Sequence, residues 1–181
     1  MTKNNGEITM KNGSYKFISE IGLAKNITDF YFANISRFKR EFKNGGCIED
    51  PLTTIIKGTS KLDVPVQQGM EKKDHVALIR IGCDFLDAEA VVMFFEASQW
   101  TGTAQERNFV KRHMGDIHGH AKAKDVLIAV IENQCKYIVG HADVTHNGKE
   151  RNIGQMEWSV MDLPDADYVT FSNFLPTKET I

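Results

Sequence analysis

Two uninterrupted apolar runs constrain the fold of this 181-residue chain more than any other feature. Residues 90–95 read AVVMFF and residues 126–131 read VLIAVI, with no polar side chain in either run. Runs of this length are typical of strands covered on both faces, and they are much too short to cross a bilayer. The sequence therefore predicts a sheet with central strands at 90–97 and 125–133.

The segments around these runs predict the rest of an antiparallel sheet. Residues 136–146 alternate in character, with Ile138, Ala142 and Val144 expected on one face. The Asn147-Gly148 pair is a strong hairpin signal and leads into a strand predicted at 151–160. The β-like runs between residues 53 and 68 predict a short hairpin. Pro65 places the second strand of that hairpin at an edge, because proline lacks an amide hydrogen.

Apolar residues at helical spacing predict two helices, at about 28–43 and 72–87. The stripe of the first helix consists of Ile27, Tyr31, Ile35, Phe38 and Phe42. In the second helix, Leu78, Ile81 and Phe85 keep helical spacing, as do Ala77, Ile81 and Gly82, and this apolar pattern is expected to pack on the sheet.

Together these elements predict an α+β fold in a single domain of residues 1–181. A mostly antiparallel sheet, built from a four-strand meander plus the short hairpin, is expected to pack against two helices on one of its faces. Phe94, Ile128 and Trp158 are expected in the core. The polar residues 1–12 are expected to form a flexible tail.

Composition and charge narrow the classes of function. The formal net charge of −2 provides no overall basic field, so nucleic-acid binding is not expected. The three cysteines are far apart and fit neither a disulfide framework nor a four-thiolate zinc site. The N-terminal residues lack the apolar core of a signal peptide, so we expect a cytoplasmic protein without membrane contact.

Five of the six histidines lie between residues 113 and 146. On an extended segment Asp116, His118 and His120 would face the same side, and His141 follows on a predicted strand. Imidazole and carboxylate groups are suitable ligands for a divalent metal such as zinc or manganese. This pattern makes a metal-dependent hydrolase, centred on the His/Asp cluster at 113–146, the alternative function.

The main expectation for this segment is different. No known metalloenzyme signature fits, and glycines and lysines interrupt the histidines. We therefore predict that 101–124 is a flexible polar loop without a preformed metal site, and that the protein uses no cofactor.

Other catalytic arrangements have weak support. The segment EASQW at 96–100 lacks the glycines of a nucleophile elbow, and no phosphate loop is present. Glu96, Glu157 and His141 could share one sheet face and form an acid–base group, if strand pairing brings them together. No catalytic residue is therefore assigned, and we lean towards a protein that is not an enzyme.

The order of helix, hairpin, helix and a strand ending in E-A-x-x-W resembles a set of small uncharacterised phage- and prophage-type proteins. The matching pieces are NGGCIEDPLTTIIKG, the helix before Ala88, VVMFFEASQW and AKDVLIAVIENQ, about two thirds of the chain. The resemblance implies the α+β fold and a mobile-element origin, which would place the protein in the host cytoplasm. It carries no catalytic motif. The expected function is therefore that of an accessory protein acting through contacts with another protein or by self-association.

Overall fold

The structure, a computed structural model, describes residues 10–163 and 171–176 of the chain. Its helices are α1 (Lys25–Lys43), α2 (Lys72–Leu86) and α3 (Ala104–Met114). Its strands are β1 (Gly13–Tyr15), β2 (Leu52–Lys57), β3 (Ser60–Val64), β4 (Ala90–Trp100), β5 (Ala123–Asn133), β6 (Lys136–Asn147), β7 (Glu150–Ile153) and β8 (Glu157–Asp162). None of the described helices is long and apolar enough to span a membrane.

The strands form one sheet in the order β1-β8-β6-β5-β4-β2-β3, and β7 pairs with the end of β6. Every pairing between described strands is antiparallel. The two apolar runs lie in β4 and β5, which are neighbours at the centre of the sheet. The predicted hairpin is β2–β3, and β3 is an edge strand that ends just before Pro65. The predicted α+β class and antiparallel sheet are confirmed.

The two long helices cover opposite faces of the sheet. Alternate residues of β4 divide between two cores: Val92 and Phe94 pack with α1, whereas Val91 and Met93 pack with α2. We call these surfaces the α1 face and the α2 face. The expectation that both helices lie on one face is wrong. A strand without polar residues needs an apolar cover on each side, and one helix on each face supplies it.

The α1 face holds the larger core. The predicted apolar stripe of α1 is buried along its whole length. Tyr31 and Phe38 lie against Phe94, with ring centroids 6.2 and 5.0 Å apart, and Tyr31 also meets the edge of the Trp158 ring. Phe94 and Trp158 are buried as predicted, whereas Ile128 is half-buried on the α2 face.

The strand predicted at 151–160 is interrupted. Val144 pairs with Ile153, but His141 pairs with Glu157, so three residues of one strand oppose two of the other. This is a β-bulge at 154–156, and Gly154 donates its N–H to the carbonyl of Asp143 within it. The bulge separates β7 from β8. It allows Ile153 and Met156, which are an odd number of residues apart, both to face α1.

The C-terminal residues 171–176 cross the α2 face beside α2. Phe174 is buried there, and Tyr137 donates its hydroxyl hydrogen to the carbonyl of Phe171. The buried carboxylate of Glu132 accepts hydrogen bonds from the backbone N–H groups of residues 173–175. At the other end of the chain, Met10 packs against the α1-face core. The expected flexible tail falls mostly on residues 1–9, which lie outside the described residues.

Candidate functional site

The histidine-rich segment is partly helical. A capping box starts α3: Glu106 donates its N–H to the Thr103 hydroxyl, and Thr103 donates its N–H to the Glu106 carboxylate. Gly115 ends the helix at a φ of 79°. The prediction of a loop over the whole of 101–124 is therefore wrong. The pattern T-x-x-E at 103–106 was the sequence signal for this helix.

The structure does not bring the four candidate metal ligands together. His141 lies on the α2 face, where its Nε2 is 3.4 Å from the carboxylate of Glu157. His118 lies over the α1 face, beside Ser98. The sheet itself therefore separates His141 from His118.

The other two candidates are bound locally. The Asp116 carboxylate accepts the N–H of the next residue, and His120 accepts the N–H of Lys122 while its ring lies against Trp100. Within residues 10–163 and 171–176, no group of three or more His, Cys, Asp or Glu side chains is arranged to hold a metal ion.

His118 and Asp116 instead line a cleft of about 700 Å³ on the α1 face, where a further set of ionisable groups meets. The cleft lies beyond the end of α1, where that helix no longer covers the sheet. Asp125, at the start of β5, is its centre. One carboxylate oxygen lies 2.9 Å from His146 Nε2, the other lies 3.9 Å from His118 Nδ1, and Arg151 is 3.9 Å away. Strand register explains this meeting, because Asp125 pairs with Val144 and His146 follows two residues later on the same face.

The geometry around His118 does not match a serine hydrolase. In that mechanism the serine and the carboxylate approach opposite nitrogens of the histidine ring. Here Ser98 Oγ lies 2.9 Å from Nδ1 of His118, and the Asp125 carboxylate is nearest to the same nitrogen. The contacts instead tie the loop after α3 to β4 and β5.

Glu96 and Arg151 form the deepest ion pair of the cleft, with side chains only 15% and 12% exposed. Glu96 also accepts the N–H of Ile48, and Arg151 donates to the carbonyl of Gly46. Hydrogen bonding to Glu96 raises the pKa of Arg151 above its usual value. The pair fixes the turn after α1 to the sheet. The hypothesis that Glu96 joins Glu157 and His141 is wrong, because those two residues lie on the opposite face.

The apolar stripe predicted to bury α2 faces solvent. Leu78, Ile81 and Phe85 are 39%, 63% and 84% exposed. The buried side of α2 consists instead of His75, Val76, Ile79, Gly82 and Cys83. We call Leu78, Ile81 and Phe85 the α2 stripe.

A close approach between α2 and the sheet marks the side of the helix that is buried. A Cβ atom on Gly82 would lie 2.5 Å from Cδ1 of Ile55 in β2, so a larger residue there would force the Ile55 side chain to shift. The prediction treated Gly82 as one more member of an apolar pattern. Its missing side chain was the signal that this side of the helix meets the sheet.

Other large exposed apolar residues in the described part of the chain are scattered. Phe17 lies between β1 and α1, Phe32 on α1, Leu52 on β2 and Met161 on β8, and Phe109 and Met114 lie on α3, five residues apart. Only the α2 stripe places three such side chains in line on one helix, at spacings of three and four residues. Contiguous exposed apolar surface is typical of a protein contact site.

Comparison of the chain with protein-family models, with curated proteins and with solved structures finds no match.

Proposed function

We propose that this protein is a non-enzymatic accessory protein of a phage or prophage, and that it acts by binding protein through the α2 stripe. The observation that carries the proposal is the exposure of Ile81 and Phe85 in line with Leu78. Exposing such a row of side chains to water is unfavourable, and a contact that covers it recovers about 25 cal/mol for each Å² buried. The sequence resemblance supports the mobile-element context.

The polar cleft supports a structural role more than a catalytic one. Its charged groups contact one another: Glu96 with Arg151, and Asp125 with His146. A catalytic site usually leaves a reactive group directed at the substrate. These pairs instead join β4 to β7 and β5 to β6, and their further contacts hold the segments before β2 and β5 in place.

The test uses a photo-crosslinking amino acid placed at position 85 of the full chain, in its native host cells. We expect a crosslinked protein adduct from position 85 that disappears when Ile81 is changed to Ser. The same amino acid at position 32 is the matched control, since Phe32 is 48% exposed but lies on α1. No adduct from position 85, or an adduct that persists in Ile81→Ser, would contradict the proposal.

A further inference from the structure

The surroundings of the α2 stripe identify its occupant, on the assumption that the stripe is a protein contact as proposed above. We infer that it binds a second copy of this chain, with the two α2 helices packed antiparallel around a two-fold axis near Ile81. A two-fold interface uses the same surface on both subunits, so that surface must be complementary to itself. Three observations on α2 meet that requirement.

The first observation is the spacing of the stripe. Ile81 is its central member, and Leu78 and Phe85 lie to either side of it. In an antiparallel pair centred on Ile81, the two Ile81 side chains meet near the axis. Leu78 of each copy then faces the Phe85 side chain of the other copy. Each apolar side chain of one stripe therefore has an apolar neighbour in the other.

The second observation is the charge on one flank of the stripe. Lys73 and Asp84 are eleven residues apart, which is close to three full helical turns, so they lie on the same side of α2. Antiparallel pairing about a two-fold axis places each flank against the same flank of the partner, in reverse order. With the axis near Ile81, Lys73 of one copy lies about five residues, roughly 7.5 Å, further from the axis than Asp84 of the other, so the long lysine side chain extends towards that aspartate, twice in each dimer.

The third observation is that these charges oppose the helix dipole. Lys72 and Lys73 begin α2 and Asp84 lies in its last turn, although the dipole favours negative charge at the start and positive charge at the end. Asp74, in the first turn of α2, has the negative charge that the helix dipole favours there. Lys73 contacts the exposed Glu71 at 2.9 Å, and Asp84 has no ion-pair partner among the described residues. An antiparallel partner would supply opposite charge at both ends.

A helix pair of this size makes a modest interface, so the dimer is expected to be reversible. Sedimentation velocity over a concentration series measures it. Ile81→Ser should weaken the dimer roughly hundredfold, because one substitution removes two side chains from a two-fold interface. Phe109→Ser is the matched control. Phe109 is as exposed as Ile81 but lies on α3, so this variant should dimerise like the wild type.

Charge reversal tests the antiparallel arrangement itself. Lys73→Glu and Asp84→Lys should each weaken the dimer about fivefold, and combining them should restore it to within about twofold. Lys72→Glu is the charge control, since Lys72 lies over the Phe171 ring and away from the stripe. Restoration is not expected if the helices pair in parallel, because the reversed charges then do not meet.

Disulfide trapping gives a second measurement, which does not depend on equilibrium affinity. In a Cys47→Ser, Cys135→Ser background, Ile81→Cys should form a covalent dimer on oxidation, and Phe109→Cys should not.

A monomer at all concentrations, or a dimer unaffected by Ile81→Ser, would overturn the inference. If position 85 crosslinks to a different protein while the chain stays monomeric, this inference fails and the proposed function stands. If position 85 gives no adduct and the chain is monomeric, both fail.

Discussion

The buried carboxylate of Glu132 offers the sharpest test of how the C-terminal segment is held. Glu132 is fully buried in β5, and its two oxygens accept the N–H groups of Asn173, Phe174 and Leu175. Replacing Glu132 with Ala removes all three acceptor contacts. It leaves three backbone donors directed at a cavity on the α2 face.

The expected cost follows from those donors. A buried N–H that loses its partner costs about 1–3 kcal/mol, and water entering the new cavity would satisfy part of the loss. Removing an ionisable group from a buried position also returns some free energy. We therefore expect Glu132→Ala to lower the free energy of unfolding by about 3–5 kcal/mol, a large share of the 5–15 kcal/mol typical of a domain. Glu132→Gln keeps one acceptor oxygen and should lose about 1–3 kcal/mol.

Urea denaturation followed by circular dichroism measures these losses, and hydrogen exchange at Phe174 reports whether the segment detaches. Glu157→Ala is the control, because the Glu157 side chain is exposed and its carboxylate lies 3.4 Å from His141 at the surface. A loss below about 1 kcal/mol for Glu132→Ala, with unchanged protection of Phe174, would refute the reasoning.

The pH dependence of the Glu132 contribution has a defined sign. Burial raises the pKa of Glu132 above its ordinary value of 4.5, against the opposing effect of the three N–H donors. The folded protein therefore holds this proton to a higher pH than the unfolded chain does. The stabilisation is complete below the unfolded pKa and is lost as pH rises through the folded pKa. The advantage of wild type over Glu132→Gln should shrink as pH rises above 4.5, and an advantage that grows would contradict the prediction.

Four further outcomes are expected. Gly140→Ala should cost about 2–4 kcal/mol in calorimetry, since its Cβ would lie 2.8 Å from ring atoms of Trp158. Phe94→Ala should lose about 3–5 kcal/mol in urea denaturation, because it removes the ring that Tyr31 and Phe38 contact. Thr103→Ala should cost about 1 kcal/mol and increase hydrogen exchange in the first turn of α3. Zinc or manganese should leave the thermal midpoint unchanged, and a rise that is lost in a His118→Ala, His120→Ala double variant would restore the metal-site alternative.

Much of the sheet was predictable because its central strands carry a local signal. The uninterrupted apolar runs in β4 and β5 predict strands that are covered on both faces, and Asn147-Gly148 predicts the turn at the end of β6. The bulge before β8 also has a counterpart in the sequence. The apolar residues Ile153 and Met156 are three positions apart, and in the structure both face the same core. Regular alternation cannot place them so, and a bulge is the usual solution. Pairing of the distant strands β1 and β8 has no comparable local signal.

The polar cleft was less accessible to sequence reasoning. Its central contact, Asp125 with His146, depends on the exact register of β5 against β6. A shift of one residue would send His146 to the other face. The Glu96–Arg151 pair joins residues 55 positions apart and depends on the β6–β7 hairpin, which pairs Arg151 with His146. Residue type suggested that this region was polar and ionisable, but only the register determined which groups meet.

The error on α2 follows from a property of the helix itself. A surface helix packed on one sheet has one apolar stripe, and its opposite side is polar. α2 has two: Val76, Ile79 and Cys83 against the sheet, and the α2 stripe towards solvent. Helical spacing alone cannot choose between them, because each set has the required period. A helix that is apolar on two sides is typical of one that is covered on two sides, and the sheet covers only the side that contains Gly82. The feature that misled the assignment of the core is therefore also the main argument that α2 has a second partner.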